Sequence, residues 1–151
     1  MKKITLLFLL CISMSSIAQS LEGTWKMSPV AGAMGVGPAQ GDMSWWSNSI
    51  GDVTSRACLF DDEYIFNANG TFSNVQGSQT WTEVWQGGSD SCGTPVAPHN
   101  GSNAATYVYN TTANTITLTG VGAFLGLPKV INGAELSSPA GAPASVTYNV
   151  T

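Results

Sequence analysis

Cys58-Leu-Phe-Asp-Asp-Glu-Tyr-Ile-Phe66 followed by Asn67-Ala-Asn-Gly70 and Thr71-Phe-Ser-Asn-Val75 reads as a β-hairpin. In an extended chain alternate side chains share a face, so Tyr64 and Phe66 point the same way. Asn67 to Gly70 supplies residues that tolerate the positive φ a tight turn needs. The strand run is rich in aromatic and β-branched residues and is bounded by Asn and Gly, the pattern of a sheet protein.

Outward from this hairpin the same pattern repeats. Ala105 to Tyr109 and Thr115 to Thr119 form a second hairpin about the turn Thr111–Asn114, with Tyr107 and Tyr109 on one face and Ile116 and Leu118 on one face of the partner strand. Leu21 to Met27, Pro128 to Asn132 and Ser145 to Thr151 read as further strands. Gln79 to Trp85 is open to two readings: a strand with Trp81, Glu83 and Trp85 on one face, or a short helix with Thr80 as N-cap and Gly87-Gly88 as its end. The strand is preferred, because so short a helix lacks independent stability. Ser28 to Gly41 and Gly87 to Asn103 are loops. The expectation is an all-β chain: one domain over residues 19–151, an antiparallel barrel or sandwich.

Lys2-Lys3, the apolar run Ile4 to Met14 and Ser16-Ile17-Ala18 have the layout of a secretory signal peptide over residues 1–18, cleaved after Ala18. The run is too short to span a bilayer, and no other run approaches the required length. The expected location is therefore secreted, periplasmic or cell-surface. The whole chain has 151 residues, of which only 9% are charged. Removal of the leader leaves Lys26, Arg56 and Lys129 against nine acids, a net charge of −6. Nucleic acid and anionic membrane need a clustered basic face, so both are poor partners.

Cys11 departs with the leader, leaving Cys58 and Cys92. In an oxidising compartment the simplest expectation is one disulfide; a metal site is the rival, lacking C-x-x-C spacing and with His99 the single histidine. No cofactor is implied. Catalytic signals are weak. No G-x-S-x-G elbow is present, and no two glutamates lie close in sequence on one strand face, so the chain reads as non-catalytic.

The five tryptophans carry the functional signal. A Trp ring stacks on the C–H face of a pyranose while neighbouring amides and carboxylates pair with its hydroxyls. Trp81 and Trp85 flank Glu83 with Gln86 beside them, and Trp45-Trp46 sit among Asp42, Ser44, Ser47 and Asn48. On a strand only one of Trp45 and Trp46 can point inward. Trp25 reads as a structural plug, and His99 as a loop residue able to touch a ligand.

Gly23-Thr-Trp-Lys26 resembles the G-x-W opening of lipocalin-like domains, and Cys58 to Phe72 resembles the hairpin of secreted bacterial members of that class. With Ser44-Trp-Trp-Ser-Asn48, Thr80-Trp81, Trp85-Gln-Gly87, Ala97-Pro-His99 and Gly122-Ala-Phe-Leu-Gly126, the chain resembles accessory domains of secreted laminarinase-type glycoside hydrolases of marine bacteria. The resemblance implies a lipocalin-like fold and binding of a neutral polysaccharide such as a β-glucan. It also implies a glycoside hydrolase catalytic domain as partner, and it places no catalytic residue here. Such domains continue into another strand pair, whereas this chain stops at Thr151, which raises a truncated frame lacking the last strands. A lipocalin-type carrier of a small apolar ligand and a glycoside hydrolase are the alternatives. The residues singled out for ligand binding are Trp45, Trp46, Trp81, Glu83, Trp85, Gln86 and His99.

Overall fold

The computed structural model describes residues 20–151, so the leader read in residues 1–18, with Cys11, lies outside the described residues. In chain order the elements are β1 (Gly23–Trp25), β2 (Gly35–Val36), β3 (Trp46–Ser47), α1 (Ile50–Ser55), α2 (Ala57–Phe60), β4 (Glu63–Phe66), β5 (Thr71–Val75), β6 (Thr80–Thr82), β7 (Ser91–Gly93), β8 (Ala105–Asn110), β9 (Thr115–Thr119), β10 (Val130–Ile131), β11 (Ala134–Glu135) and β12 (Ser145–Asn149). Among the described residues, single turns of 3-10 helix lie at Val84–Gln86 and Pro139–Gly141.

The fold is all-β and antiparallel. Strands β1-β4-β5-β8-β9-β12 make one six-stranded sheet, and β2–β3, β6–β7 and β10–β11 make three ribbons. Among the described residues the large sheet is open, with β1 and β12 as its edges, so of barrel and sandwich it is the barrel that they do not form.

Alternation sorts the sheet into two faces. Tyr64, Phe66, Phe72, Ile116 and Leu118 point to the core, with Tyr107, Tyr109 and Tyr148 half-buried beside them. Thr106, Val108 and Thr147 face solvent, and the hydroxyls of Thr117 and Thr147 lie 2.9 Å apart across β9 and β12. The first hairpin turns at Gly70, whose φ of 82° is the left-handed region that glycine enters without a Cβ penalty. The segment Gly122–Gly126 crosses the core face. Phe124 packs edge-on against Tyr64 at 6.3 Å, and the Asn74 side chain accepts from Phe124 N and donates to Phe124 O. Gly122 is required there, since a Cβ would collide with the carbonyl oxygen of Pro98.

Residues 50–60 differ from the extended reading that ran back to Cys58. They form α1 and α2, and β4 begins at Glu63. The cause is local: the Ser49 hydroxyl accepts from Asp52 N at 3.1 Å and the Asp52 carboxylate accepts from Ser49 N at 2.7 Å, a reciprocal cap. Cys58, Leu59 and Phe60 are then buried. The Cys58–Cys92 disulfide is formed, with Cα atoms 5.9 Å apart, and ties α2 to β7. Trp25, read as a plug, instead stands half-exposed on the edge strand β1.

The outer edge of β12 is partly guarded. Asn132 and Gly133 form the two-residue turn between β10 and β11. The Asn132 side chain donates to Ser145 O at 3.0 Å and accepts from Thr147 N at 2.9 Å, standing where a neighbouring strand's peptide would. Asn132→Ala is expected to cost about 1 kcal/mol, the net worth of exposed hydrogen bonds, and to let the bared edge pair with a second molecule. Thermal unfolding and light scattering at high concentration check this; an unchanged melting temperature with no added scattering would refute it.

Candidate functional site

An aromatic column rises from the sheet toward the surface. Above Tyr64 lies Phe124; the His99 ring stands edge-on to Phe124 at 6.1 Å and to Trp85 at 5.5 Å. Trp85 then donates its indole N–H to the Glu83 carboxylate at 2.7 Å. Glu83 is held from a second direction, because its backbone N–H donates to the Gln86 side chain at 3.0 Å and the 3-10 turn Val84–Gln86 closes on that bond. The column therefore fixes one carboxylate at the surface through packed rings.

His99 serves in that column and is 3% exposed. Burial lowers its pKa, so the imidazole is neutral in its apolar surroundings. Its Nδ1 has no partner among the described residues.

Beside Glu83 is a cleft of about 250 Å³, lined by Val36, Trp46, Arg56, Glu83, Leu127 and Lys129 together with Val130 and Glu135. Arg56, at the junction of α1 and α2, lies over the Trp46 ring at 5.1 Å and the Trp81 ring at 4.4 Å. These distances are within cation–π range. Among the described residues Arg56 makes no ion pair within 4 Å, so its N–H edge is not used up by a carboxylate. Lys129 is engaged: its ammonium pairs with Glu135 at 2.8 Å, and that hydrogen bond raises its pKa.

The residues singled out in the sequence thus sort by place. Trp46 and Glu83 line the cleft, and Trp81 packs beneath Arg56. Trp85, Gln86 and His99 stand behind Glu83. Trp45 stands apart, 70% exposed, in the bend before β3 and outside the cleft lining. The segment read as one strand to Trp85 is β6 followed by the 3-10 turn, so Trp85 does not continue the face of Trp81 and Glu83. Arg56, Lys129 and Glu135 escaped the sequence reading. Arg56 carried a usable signal as the single arginine of the chain.

Chemically the cleft offers one aromatic wall, aliphatic flanks from Val36, Leu127 and Val130, guanidinium donors and carboxylate acceptors. Two cations face two anions, so it is locally balanced in a chain that is acidic overall. No family model, no curated protein and no solved structure matches the chain.

Proposed function

We propose that the protein is a secreted, non-catalytic carbohydrate-binding domain that takes a neutral polysaccharide such as a β-glucan into the Trp46–Arg56–Glu83 cleft. The carrying observation is the lining of that cleft: an indole wall with both donors and acceptors and no net charge. A hydroxyl both donates and accepts, so a neutral sugar can pair with Arg56 and Glu83 together. A free anion would meet Glu83 and Glu135, and a free cation would meet Arg56.

The non-catalytic reading is supported by the contacts of the two carboxylates. Glycosidase chemistry needs a pair of carboxyls facing each other across the scissile bond. Here Glu135 is tied to Lys129 and Glu83 to the Trp85 indole N–H. The Cys58–Cys92 bond supports export to an oxidising compartment. A glycoside hydrolase catalytic domain is the partner that the sequence resemblance suggests, which this domain would hold at its substrate.

Affinity electrophoresis in laminarin tests the proposal. The parent is expected to be retarded, Trp46→Ala to bind about ten- to thirtyfold more weakly, as for loss of a central aromatic anchor, and Trp45→Ala to migrate like the parent. Equal mobility of the parent with and without laminarin would sink the reading. So would laminarin hydrolysis that Glu83→Gln abolishes.

A further inference from the structure

A second and larger cavity, of about 510 Å³, lies by the disulfide. Its polar lining includes Asp61, Glu63, Gln76, Ser78 and Gln79, over a floor that includes Ala57 and the Cys58–Cys92 bond. Gln76 is buried and its Oε1 has no hydrogen-bond partner among the described residues. The side chains of Ser78 and Gln79 are exposed. The polar part of the lining is thus amides, a hydroxyl and carboxylates, the groups that pair with sugar hydroxyls, and Val75, Ala57 and the disulfide make the rest apolar. Among the described residues it holds no aromatic ring.

The two cavities are joined by a single strip of backbone. From Gln79 to Glu83 the chain alternates, with Thr80 and Thr82 buried and Gln79, Trp81 and Glu83 turned to the opposite face. Gln79 lines the larger cavity, Glu83 lines the cleft, and Trp81 lies between them beneath Arg56. At about 3.3 Å per residue this strip spans roughly 13 Å. The facing wall follows the same order. Arg56 borders the cleft, while Ala57 and Cys58 border the larger cavity. Trp81 pairs across β6–β7 with Cys92, so the bond from Cys92 to Cys58 closes the two walls at mid-length.

We propose that the two cavities are subsites of one track, in which a linear glucan passes from the cleft over the Arg56–Cys58 saddle, which covers Trp81, into the larger cavity. This rests on the carbohydrate reading of the cleft. The cleft holds one end of the chain by stacking on Trp46. The larger cavity takes further sugar residues, whose hydroxyls pair with Gln79, Ser78 and Asp61. The track gives the domain a preference for chains long enough to fill both cavities.

Isothermal titration with the laminarin disaccharide and hexasaccharide separates this proposal from the reading beneath it. The parent is expected to bind the hexasaccharide at least tenfold more tightly. A Ser78→Ala/Gln79→Ala variant, both side chains being exposed, is expected to lose about three- to tenfold for the hexasaccharide, the worth of one hydrogen bond or so, and nothing for the disaccharide. Trp46→Ala should weaken both. An affinity that does not rise with length, or a double variant that binds the hexasaccharide like the parent at an unchanged melting temperature, would overturn the track and leave the cleft standing. A parent that binds neither sugar overturns both.

Discussion

Replacing both cysteines, Cys58→Ala with Cys92→Ala, is expected to lower stability by about 3 to 4 kcal/mol and the melting temperature by roughly 10 to 20 °C. The bond joins residues 34 apart in sequence. Closing a loop of that length removes a large share of the freedom of the unfolded chain, and the stabilisation follows from that restriction. Besides the bond, the same place is held by the burial of Leu59 and Phe60 on one short element. α2 is one turn long, shorter than any helix stable alone, and rests on β6 and β7 through Cys58, Leu59 and Phe60. Without the bond the saddle between the two cavities loosens, so on the proposed track hexasaccharide affinity should fall with stability. Urea unfolding of the double variant, and of the parent with and without reductant, measures the effect. A midpoint unchanged in both comparisons would show that α2 is held by packing alone.

The second large effect concerns Asp62, which is expected to make the protein less stable as pH rises from about 4 to 7. Its side chain is 2% exposed, and burial pushes its pKa up from 3.8 to about 7, against the pull of the Thr80 hydroxyl that donates to Oδ2 at 2.6 Å. The charge of Asp61 pushes the same way, and Lys26 opposes. Below pH 4 folded and unfolded chains both carry the proton, and burial has no electrostatic cost. Between 4 and 7 the unfolded chain releases it while the folded chain keeps it, so stability falls by up to about 4 kcal/mol. Above 7 the loss is complete. Register explains the arrangement: Glu63 pairs with Val75, so the next step sets Asp62 opposite Gln76 on the buried side. Asp62 Oδ1 and Gln76 Oε1 are both unpartnered acceptors among the described residues, and a proton on Asp62 would serve the two together. Asp62→Asn carries that donor permanently while leaving an oxygen for Thr80. The variant should match the parent near pH 4.5, exceed it at pH 8 and lose the fall between them. Parallel stability profiles for the two proteins would sink the assignment. Asp42 and Asp52 act at the acid end, since the Ser44 and Ser49 hydrogen bonds hold both carboxyls low and their contribution is lost as pH falls.

The two long hairpins were legible because alternation over four or more residues leaves one consistent answer. Tyr64 with Phe66 and Ile116 with Leu118 all lie on the core face. The region before Glu63 was not legible as helix, since its two helices have six and four residues and present no apolar period long enough to see. The Ser49–Asp52 cap carries Asp where Glu or Gln is the stronger sign, so it does not stand out in the sequence. The ribbons β2–β3 and β10–β11 are two residues per strand, below the length at which a pattern exists. At the candidate site the tryptophans stood out by composition. Their division between cleft, saddle and column depends on long-range packing, as with His99 meeting Phe124, 25 residues on, in the loop that crosses the core face. Arg56 and Lys129 reach one cleft from positions 73 residues apart, a meeting that spacing cannot reveal.

The aromatic column has a consequence for how such a domain can diversify. Glu83 is fastened through Trp85, His99 and Phe124 to the sheet, so a change at any of these positions alters the core and the candidate site together. Val36, Leu127 and Val130 touch the cleft without belonging to that column. If the cleft binds as proposed, changes of specificity are expected at those aliphatic positions first, while Tyr64, Phe124, His99 and Trp85 change only together. Directed libraries would do well to follow the same division, randomising the flanks and leaving the column intact.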